Sequence, residues 1–358
     1  MSETANSQPS QRWAILGGVR FGLAALVLIG HARFCTPTYR WTQIIAQFGS
    51  FSAVLGFFLI SGYSIAHSYN RRPDGFFHRR IQRLAPAYLV AILISLVPIW
   101  LLTTHRHSYY EIWYGTPSVL QFFANALCLQ GTVTPAISAN LPLWSLGAEV
   151  VYYALTPFFF RLRSRVLLGF VGISALLYVL HGVPSVGFGT ARYPSESYGI
   201  SAICLAWAWL AGFLLWRHSK QDWPRWLMLG LGAALIGFDD TQNYRFSVAV
   251  YVAAALIVIH AGSLRVPVRL APWLTYLGDL SFPLYLVHYP ILMVLHPWFN
   301  VSRPAPLLLV PLVVAILLHH AVEIPFGRRA SRLKPSRPVG DLPGVGADDP
   351  ERVGKVVL

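Results

Sequence analysis

Residues 20–31 read RFGLAALVLIGH and decide the fold, because they place an arginine and a histidine inside the apolar run 13–34. That run is long enough to cross a bilayer as one helix. An arginine at the centre of such a helix costs about 2.5 to 3.5 kcal/mol to insert, so ionisable groups there usually mark a pathway or a site. Arg20 and His31 are separated by about three helical turns, or about 16 Å. We therefore expect two positions along one polar seam that share a helix face without touching.

The composition of the whole chain is that of a polytopic membrane protein. Hydrophobic residues make up 55% of the 358 residues and charged residues 12%, whereas charged residues form about 25% of a soluble domain. The formal net charge of +14 would suggest nucleic acid in a soluble protein. Here it first reflects the lysine and arginine bias of cytoplasmic loops. No nucleic-acid partner is expected, and the predicted location is the inner, or plasma, membrane.

The predicted fold is an all-α, polytopic membrane helix bundle with about ten transmembrane helices. The ten apolar segments cover residues 13–34, 47–68, 84–104, 142–160, 166–182, 198–216, 224–238, 246–263, 279–298 and 304–323. With these crossings, 21 lysine and arginine residues lie on one side and 6 on the other, and Arg20 lies within the first helix. The positive-inside rule then places both termini in the cytoplasm.

The apolar stretch 118–130 is not counted as an eleventh crossing. That count would move the basic residues 161–165 and the basic tail to the outer side, against the same rule. We predict a partial, interfacial or re-entrant segment that is buried against protein. The stretch before it, residues 105–117, is rich in Tyr and Trp and is expected at the outer membrane interface.

The expected domain organisation is one transmembrane domain, residues 12–327, between two disordered cytoplasmic ends. The N-terminal end is residues 1–11 and the C-terminal tail is residues 328–358, which is rich in Pro, Gly, Arg and Asp and has little that could pack. The three cysteines are too few and too scattered for a disulfide framework or a metal site. No metal is expected.

Two histidines and one glutamate are the candidates for proton transfer. Neutral imidazole suits general-base chemistry near pH 7, and His31 is favoured by its pairing with Arg20; a histidine that only hydrogen-bonds within the bundle is the alternative. Glu149 lies well inside a predicted helix, where a carboxylate must be neutral, paired or in a wet cavity. A structural pairing with Arg20 or a tyrosine is its alternative. His288 is the second candidate proton carrier, with interhelical hydrogen bonding as the alternative.

A basic cluster, FFHRRIQRLAP at residues 76–86, follows the second apolar segment. Anchoring to anionic lipid is one interpretation of it. Arg80 and Arg83 stand on one helix face, and guanidinium groups suit phosphate, so a phosphorylated cytosolic ligand is the other. In the second segment, Ser61 and Gly62 belong to a run of small residues whose simplest role is close helix packing.

Taken together, these motifs resemble the acyltransferase 3 family of integral membrane acyltransferases. The hallmark of that family is a basic residue separated by ten others from a histidine in the first helix, here Arg20 and His31. The other matching positions are Phe57, Phe58, Ser61 and Gly62; Arg80, Arg83 and Pro86; the segment 143–149 with Tyr152 and Tyr153; the segment 281–288; and Glu323, Ile324 and Pro325. The resemblance covers about residues 12–330, and the combination of motifs is specific although each one alone is weak.

The resemblance implies an O-acyltransferase, most simply an O-acetyltransferase, that takes its acyl group from acetyl-CoA or another acyl-CoA in the cytoplasm. The acceptor would be a hydroxyl of a glycan, a lipid-linked saccharide or a related molecule. Some members of the family carry an extra helix and a fused hydrolase-like domain; neither is expected here, so the acyl group would go directly to the acceptor or to a separate protein. Membrane lipids are expected partners, and a homo-oligomer is compatible with the sequence.

The same resemblance suggests roles for the candidate residues. Arg80 and Arg83 would hold the phosphates of coenzyme A, with Ser61 also assigned to donor binding. His31 would act as general base or take the acyl group itself, and Arg20 would orient the donor or stabilise negative charge. Glu149 and His288 complete the predicted catalytic set. Two rival functions are a transporter or flippase for a saccharide, in which the same ionisable groups line a translocation path, and a scaffolding subunit of a glycan-assembly complex.

Overall fold

The computed structural model describes residues 7–105, 115–181, 199–238 and 245–327. Within these ranges the chain forms helices and no strand, with one isolated β-bridge between Gln130 and Thr134. The α-helices are α1 (Ser7–Ala32), α2 (Arg40–Ala46), α3 (Ser50–Arg71), α4 (Phe76–His105), α5 (Val119–Ala126), α6 (Trp144–Arg161), α7 (Ser164–His181), α8 (Ile200–Arg217), α9 (Trp223–Trp226), α10 (Gly232–Phe238), α11 (Ser247–His260), α12 (Ala271–Phe299) and α13 (Pro304–Leu318). Short 3₁₀ helices at Arg33–Cys35 and Ser138–Leu143 and π-helical turns at Leu227–Leu231 and His319–Glu323 extend them.

Six helical segments in the described ranges are long and apolar enough to cross a membrane. They are Gln11–Cys35, Ser50–Arg71, Phe76–Leu101, Ile200–Arg217, Ala271–Phe299 and Pro304–Gly327. Two more helices, Ser164–Leu180 and Ser247–His260, are apolar but shorter. The prediction of a helical, multi-pass membrane protein is thus confirmed, whereas the count of ten crossings and the cytoplasmic termini stay predictions. The predictions for residues 1–6, for most of 105–117 and for the tail 328–358 lie outside the described ranges.

The basic cluster 76–86 is helical from its first residue and forms the beginning of α4. Phe76 explains this early start, because its side chain is 2% exposed and packs edge-on against Tyr69 of α3, with ring centroids 5.2 Å apart. The helix is therefore anchored well before the apolar segment predicted from residue 84. Arg80 and Arg83 lie on its first turns, as their spacing predicts.

The stretch 118–130 is a short helix and a turn, too short to cross a membrane. α5 has 8 residues, which is about 12 Å. Buried Asn125 holds the turn: its Nδ2 donates to the Pro135 carbonyl at 3.0 Å and its Oδ1 accepts from the Ile137 N–H at 3.0 Å. The hydroxyl of Tyr88 on α4 donates to the Asn125 carbonyl at 2.6 Å. The prediction of a partial segment is confirmed. The expected burial against protein is wrong for most of α5, since Val119, Leu120 and Phe123 are 58 to 73% exposed.

Glycine contacts bring the central helices together. α3 and α8 cross where Gly62 meets Gly212, and a Cβ atom on either glycine would overlap a backbone carbonyl of the other helix. α1 and α12 cross in the same way at Gly17 and Gly278. The packing interpretation of Gly62 is therefore confirmed. The buried apolar side chains form two clusters, one mainly around α3 and α8 and one around α4, α12 and α13.

Candidate active site

A polar cavity lies between the two apolar clusters and is lined by α1, α3, α4, α6 and α12. Its polar lining residues are Arg20, Ser61, Ser64, Arg80, Arg83, Ser145, Glu149, Tyr153, Ser281 and Tyr285. The remaining wall is apolar and includes Phe57, Phe58 and Phe282. The volume open to the centres of water-sized molecules is about 100 Å³. The atom-free space, with the open solvent at the mouth included, is about 880 Å³.

Three arginines and one carboxylate, Glu149, line this cavity. Within the described ranges none of the three arginines forms an ion pair. Arg80 donates from Nη2 to the Ser68 hydroxyl at 2.5 Å, while its Nε is buried without a hydrogen-bond partner. Arg83 is exposed and lies at the mouth. Uncompensated guanidinium groups of this kind suit an anion that carries several phosphate oxygens.

Glu149 is held in place by side chains from its own helix and from two others. The Ser61 hydroxyl of α3 donates to Glu149 Oε1 at 2.6 Å, and the Tyr153 hydroxyl donates to the same oxygen. Trp209 Nε1 of α8 donates to the Ser61 oxygen at 3.2 Å. Both hydrogen bonds to the carboxylate end on Oε1, which leaves Oε2 for the cavity. The partnership with a tyrosine, given above as an alternative for Glu149, is found in the structure.

Tyr285 and Ser145 form the inner end of the cavity. Their hydroxyl oxygens are 2.6 Å apart, and each lies within hydrogen-bond reach of the Pro142 carbonyl, at 3.0 Å from Tyr285 and 3.1 Å from Ser145. The ring of Tyr285 packs edge-on against Phe57, with centroids 5.7 Å apart. On its other side the ring lies 5.6 Å from the ring of His288. Tyr285 therefore stands between the cavity and the histidines.

His31 and His288 are a hydrogen-bonded pair, with Nδ1 of His31 3.2 Å from Nε2 of His288. His288 Nδ1 lies 2.8 Å from the Tyr285 carbonyl oxygen, which can only accept, so this nitrogen carries the hydrogen. In a neutral His288 the Nε2 atom is then an acceptor, and the hydrogen of neutral His31 is assigned to Nδ1. The ring of His31 is also held by a backbone hydrogen bond to Val27. With the hydrogen of His31 on Nδ1, its Nε2 carries the lone pair of a base.

The turn of α12 that carries His288 is fixed by a side chain from the 3₁₀ helix Ser138–Leu143. Pro290 has no N–H, so the Leu286 carbonyl lacks its usual intrahelical donor. Asn140 Nδ2 donates to that carbonyl at 2.9 Å and lies 2.9 Å from the Ser95 hydroxyl of α4. Because Asn140 is fully buried, it ties α4 to α12 close to the histidine pair.

The structure divides the predicted site residues into two groups. The cavity group is Arg20, Ser61, Arg80, Arg83 and Glu149. The second group, His31 and His288, lies beyond Tyr285 and is not part of the described cavity lining. The polar seam expected between Arg20 and His31 is thus interrupted by an aromatic ring.

No role was predicted for Tyr285, Ser145 or Asn140, although the first two lie in segments that match the family. The spacing of Tyr285, one turn before His288 on one helix face, was the available signal. Nothing local in the sequence pairs Asn140 with the carbonyl freed by Pro290. In the described ranges, no group of three or more His, Cys, Asp or Glu side chains could hold a metal ion, and the expectation of a metal-free reaction stays a prediction.

Comparison with known proteins decides the family. The sequence model of an acyltransferase domain, that of the acyltransferase 3 family, matches residues 13–319. The chain belongs to the acyltransferase 3 family. The resemblance inferred from the motifs is confirmed, and with it the prediction of a membrane acyltransferase rather than a transporter or a scaffolding subunit.

Relatives of this acyltransferase 3 family member are moderately similar to it. "Acyltransferase MdmB" of Streptomyces mycarofaciens is 27% identical over 83% of this chain and 85% of its own length. "Putative peptidoglycan O-acetyltransferase YrhL" of Bacillus subtilis is 26% identical over 88% of this chain, which spans only 55% of that protein. No solved structure matches the chain.

Proposed function

We propose that this acyltransferase moves an acyl group, most simply acetyl, from acyl-coenzyme A on the cytoplasmic side to a hydroxyl of a glycan or lipid-linked saccharide. The observation that carries the proposal is the cavity, where three arginines oppose one carboxylate and the inner end approaches the histidine pair. Coenzyme A combines a diphosphate and a ribose phosphate with a long, uncharged arm that ends in the thioester. Its phosphates suit the arginines, and its arm suits a cavity with apolar walls.

The donor would enter at the mouth, where Arg80 and Arg83 bind its phosphates and Ser61 belongs to the donor-binding wall. Arg20 lies deeper, on α1, and would orient the donor or neutralise charge near the arm. Glu149 limits the positive charge of the cavity, and its fixed Oε1 and open Oε2 leave one oxygen for the ligand or for Arg20. We assign these residues to donor binding and electrostatic stabilisation, with Glu149 within the catalytic set.

The transfer step would occur past the inner end of the cavity, where the thioester has to extend beyond the Tyr285 ring to reach His31. Its Nε2 takes the proton of the acceptor hydroxyl as the hydroxyl oxygen attacks the thioester carbon. The new carbon–oxygen bond forms, the carbon–sulfur bond breaks, and the proton passes from His31 to the leaving thiolate. His288 accepts the hydrogen bond from His31 Nδ1 throughout and stabilises the imidazolium. A route in which His31 first carries the acyl group uses the same tautomer.

The acceptor class rests on the relatives and on the membrane setting. One relative carries the name "Putative peptidoglycan O-acetyltransferase YrhL", and a saccharide hydroxyl is the corresponding acceptor chemistry. We place the enzyme in the inner, or plasma, membrane, where a cytoplasmic thioester and an exported saccharide can reach opposite ends of one protein.

Donor binding can be tested on the purified protein in detergent or nanodiscs. Acetyl-CoA should raise the thermal unfolding midpoint of the wild type, and the double variant Arg80→Ala with Arg83→Ala should lose most of that rise. Arg79→Ala is the matched control, because Arg79 lies on the same helix but donates to the backbone carbonyl of Asp74 and does not line the cavity. A rise of equal size in the double variant and the control would refute this donor site.

A further inference from the structure

The two hydroxyl groups at the inner end of the cavity have two hydrogens between them but make three polar contacts. Tyr285 and Ser145 contact each other at 2.6 Å, and both reach the Pro142 carbonyl. Each hydroxyl has one hydrogen, so only two of these three contacts can be hydrogen bonds at one time. Whenever Ser145 donates to Pro142, the hydrogen of Tyr285 is free to be directed elsewhere.

A ligand oxygen at the inner end of the cavity can therefore receive the Tyr285 hydrogen while Pro142 keeps its donor. Both residues line the cavity, but Ser145 is 5% exposed and can keep its hydrogen on the carbonyl, whereas Tyr285 is only partly buried. Phe57 packs on the Tyr285 ring and keeps this end apolar, which strengthens a hydrogen bond to a developing charge. The hydroxyl is held in place before the ligand arrives.

The position of Tyr285 relates this donor to the reacting groups. Its backbone carbonyl holds the hydrogen of His288 Nδ1, and through His288 it sets the tautomer of His31. Its side chain faces the cavity on the other side. The side chain of Tyr285 can thus polarise the donor in the cavity, while its backbone carbonyl orients His288 and, through it, the base His31.

We infer that Tyr285 is a catalytic residue that donates a hydrogen bond to the thioester carbonyl oxygen, with Ser145 as its positioning residue. This inference rests on the proposed function. As the acceptor oxygen attacks, the carbonyl π pair moves onto the carbonyl oxygen, and the Tyr285 O–H stabilises that negative charge. When the carbonyl re-forms, the carbon–sulfur bond breaks and the thiolate leaves with the proton from His31. Tyr285 keeps its own proton throughout.

The test compares Tyr285→Phe with Tyr276→Phe, a control on the same helix whose hydroxyl contacts His320 and which does not line the cavity. Transfer from radiolabelled acetyl-CoA is followed in inverted membrane vesicles of the native host, which contain the acceptor. Tyr285→Phe should lower kcat by about 10²- to 10³-fold with an unchanged KM for acetyl-CoA. A kcat equal to that of Tyr276→Phe would overturn the inference.

A second measurement separates catalysis from structure. An acetyl-CoA analogue whose thioester carbonyl oxygen is replaced by sulfur accepts hydrogen bonds poorly, so the wild type should prefer the oxygen substrate by a wider ratio than Tyr285→Phe does. Ser145→Ala, which leaves Pro142 to Tyr285 alone, should also lower kcat, and Ser145→Thr should restore it. An oxygen-to-sulfur ratio equal in wild type and Tyr285→Phe would refute the assigned role. If the wild type transfers no acetyl group at all, the proposed function fails instead.

Discussion

The base strength of His31 depends on which of its nitrogens carries the hydrogen. The Tyr285 carbonyl accepts the hydrogen of His288 Nδ1. His288 Nε2 then accepts the hydrogen of His31 Nδ1, so Nε2 is the basic nitrogen of His31. A neutral histidine thus does the orienting that a carboxylate does in many hydrolases. The pair avoids placing a further negative charge in the membrane interior, where it would be costly.

Substitutions at the two histidines should have unequal effects. His31→Gln should lower acetyl transfer by about 10²- to 10⁴-fold, because glutamine has no basic nitrogen. His288→Gln keeps an oxygen that can accept from His31 Nδ1 and should lose less activity than His288→Phe, which keeps none. The measurement is initial transfer rate in membrane vesicles, normalised to inserted protein.

His296→Gln is the control for these variants, since His296 lies on α12 but bonds to the Val301 carbonyl. Full activity in a folded, inserted His31→Gln protein would show that His31 is not the base. Equal losses in His288→Gln and His288→Phe would show that hydrogen-bond acceptance at residue 288 is not what matters.

Some of the individual site residues could be predicted from the sequence, and others could not. Arg80, Arg83 and Glu149 were predicted as site residues and do line one cavity, because a charge in an apolar helix must face a polar space. The contact between His31 and His288 could not be predicted. It depends on the register in which α1 and α12 pack, and side chains distant in sequence set that register.

At the scale of helices, the crossing of α3 and α8 determines whether Glu149 can be held. Ser61 lies beside Gly62, and its hydroxyl receives the Trp209 N–H and donates to Glu149. The bond from Trp209 needs α3 and α8 to approach closely, and the paired glycines Gly62 and Gly212 allow that approach. The close packing of α3 and α8 therefore also positions Ser61, which holds Glu149.

A methyl group at the crossing should loosen the bundle. Gly62→Ala would place its Cβ against the Trp209 carbonyl, a backbone atom that cannot move aside, and should lower the free energy of unfolding by about 1 to 3 kcal/mol. Thermal unfolding in detergent measures the effect. Gly172→Ala on α7 is the matched control, because no atom lies within 4 Å of its added Cβ. Equal unfolding midpoints for the two variants would disprove the tight crossing.

Helix positions were more predictable than helix ends. Each of the ten apolar segments contains helix in the described ranges, since hydrophobic length alone favours it. The start of α4 was placed too late, because the sequence around residue 80 is basic and the buried contact of Phe76 with Tyr69 is tertiary. The π-helical turn Leu227–Leu231 within the segment 224–238 had no signal either.

At the scale of the whole molecule, the predicted distribution of charge would set the direction of the proposed reaction. With the ten predicted crossings, 21 basic residues would lie on one side and 6 on the other, and the mouth of the cavity at Arg83 would lie on the basic side. The phosphates of a cytosolic donor would be attracted to that side. His31 lies farther along α1, towards the side where few basic residues are expected.

The predicted topology can be tested by labelling single cysteines in a background without the three natural ones. A membrane-impermeant maleimide should label Arg40→Cys and Arg303→Cys in intact cells, and also Thr132→Cys in the turn after α5. Arg72→Cys and Arg265→Cys should react only after permeabilisation. Labelling of Arg265→Cys in intact cells, or protection of Arg303→Cys, would contradict the ten-helix arrangement.

The contact of Gly17 with Gly278 also has a mechanical consequence. It is the point where α1 and α12 touch backbone to backbone, and the histidine pair lies about 15 to 20 Å farther along the same two helices. If α1 and α12 tilt relative to each other about this glycine contact, the displacement grows with distance along the helices. A tilt of a few degrees would move the histidines by about an ångström or more, which is enough to break the 3.2 Å hydrogen bond between His31 Nδ1 and His288 Nε2. A small movement at this glycine contact would therefore change the distance between the two imidazoles.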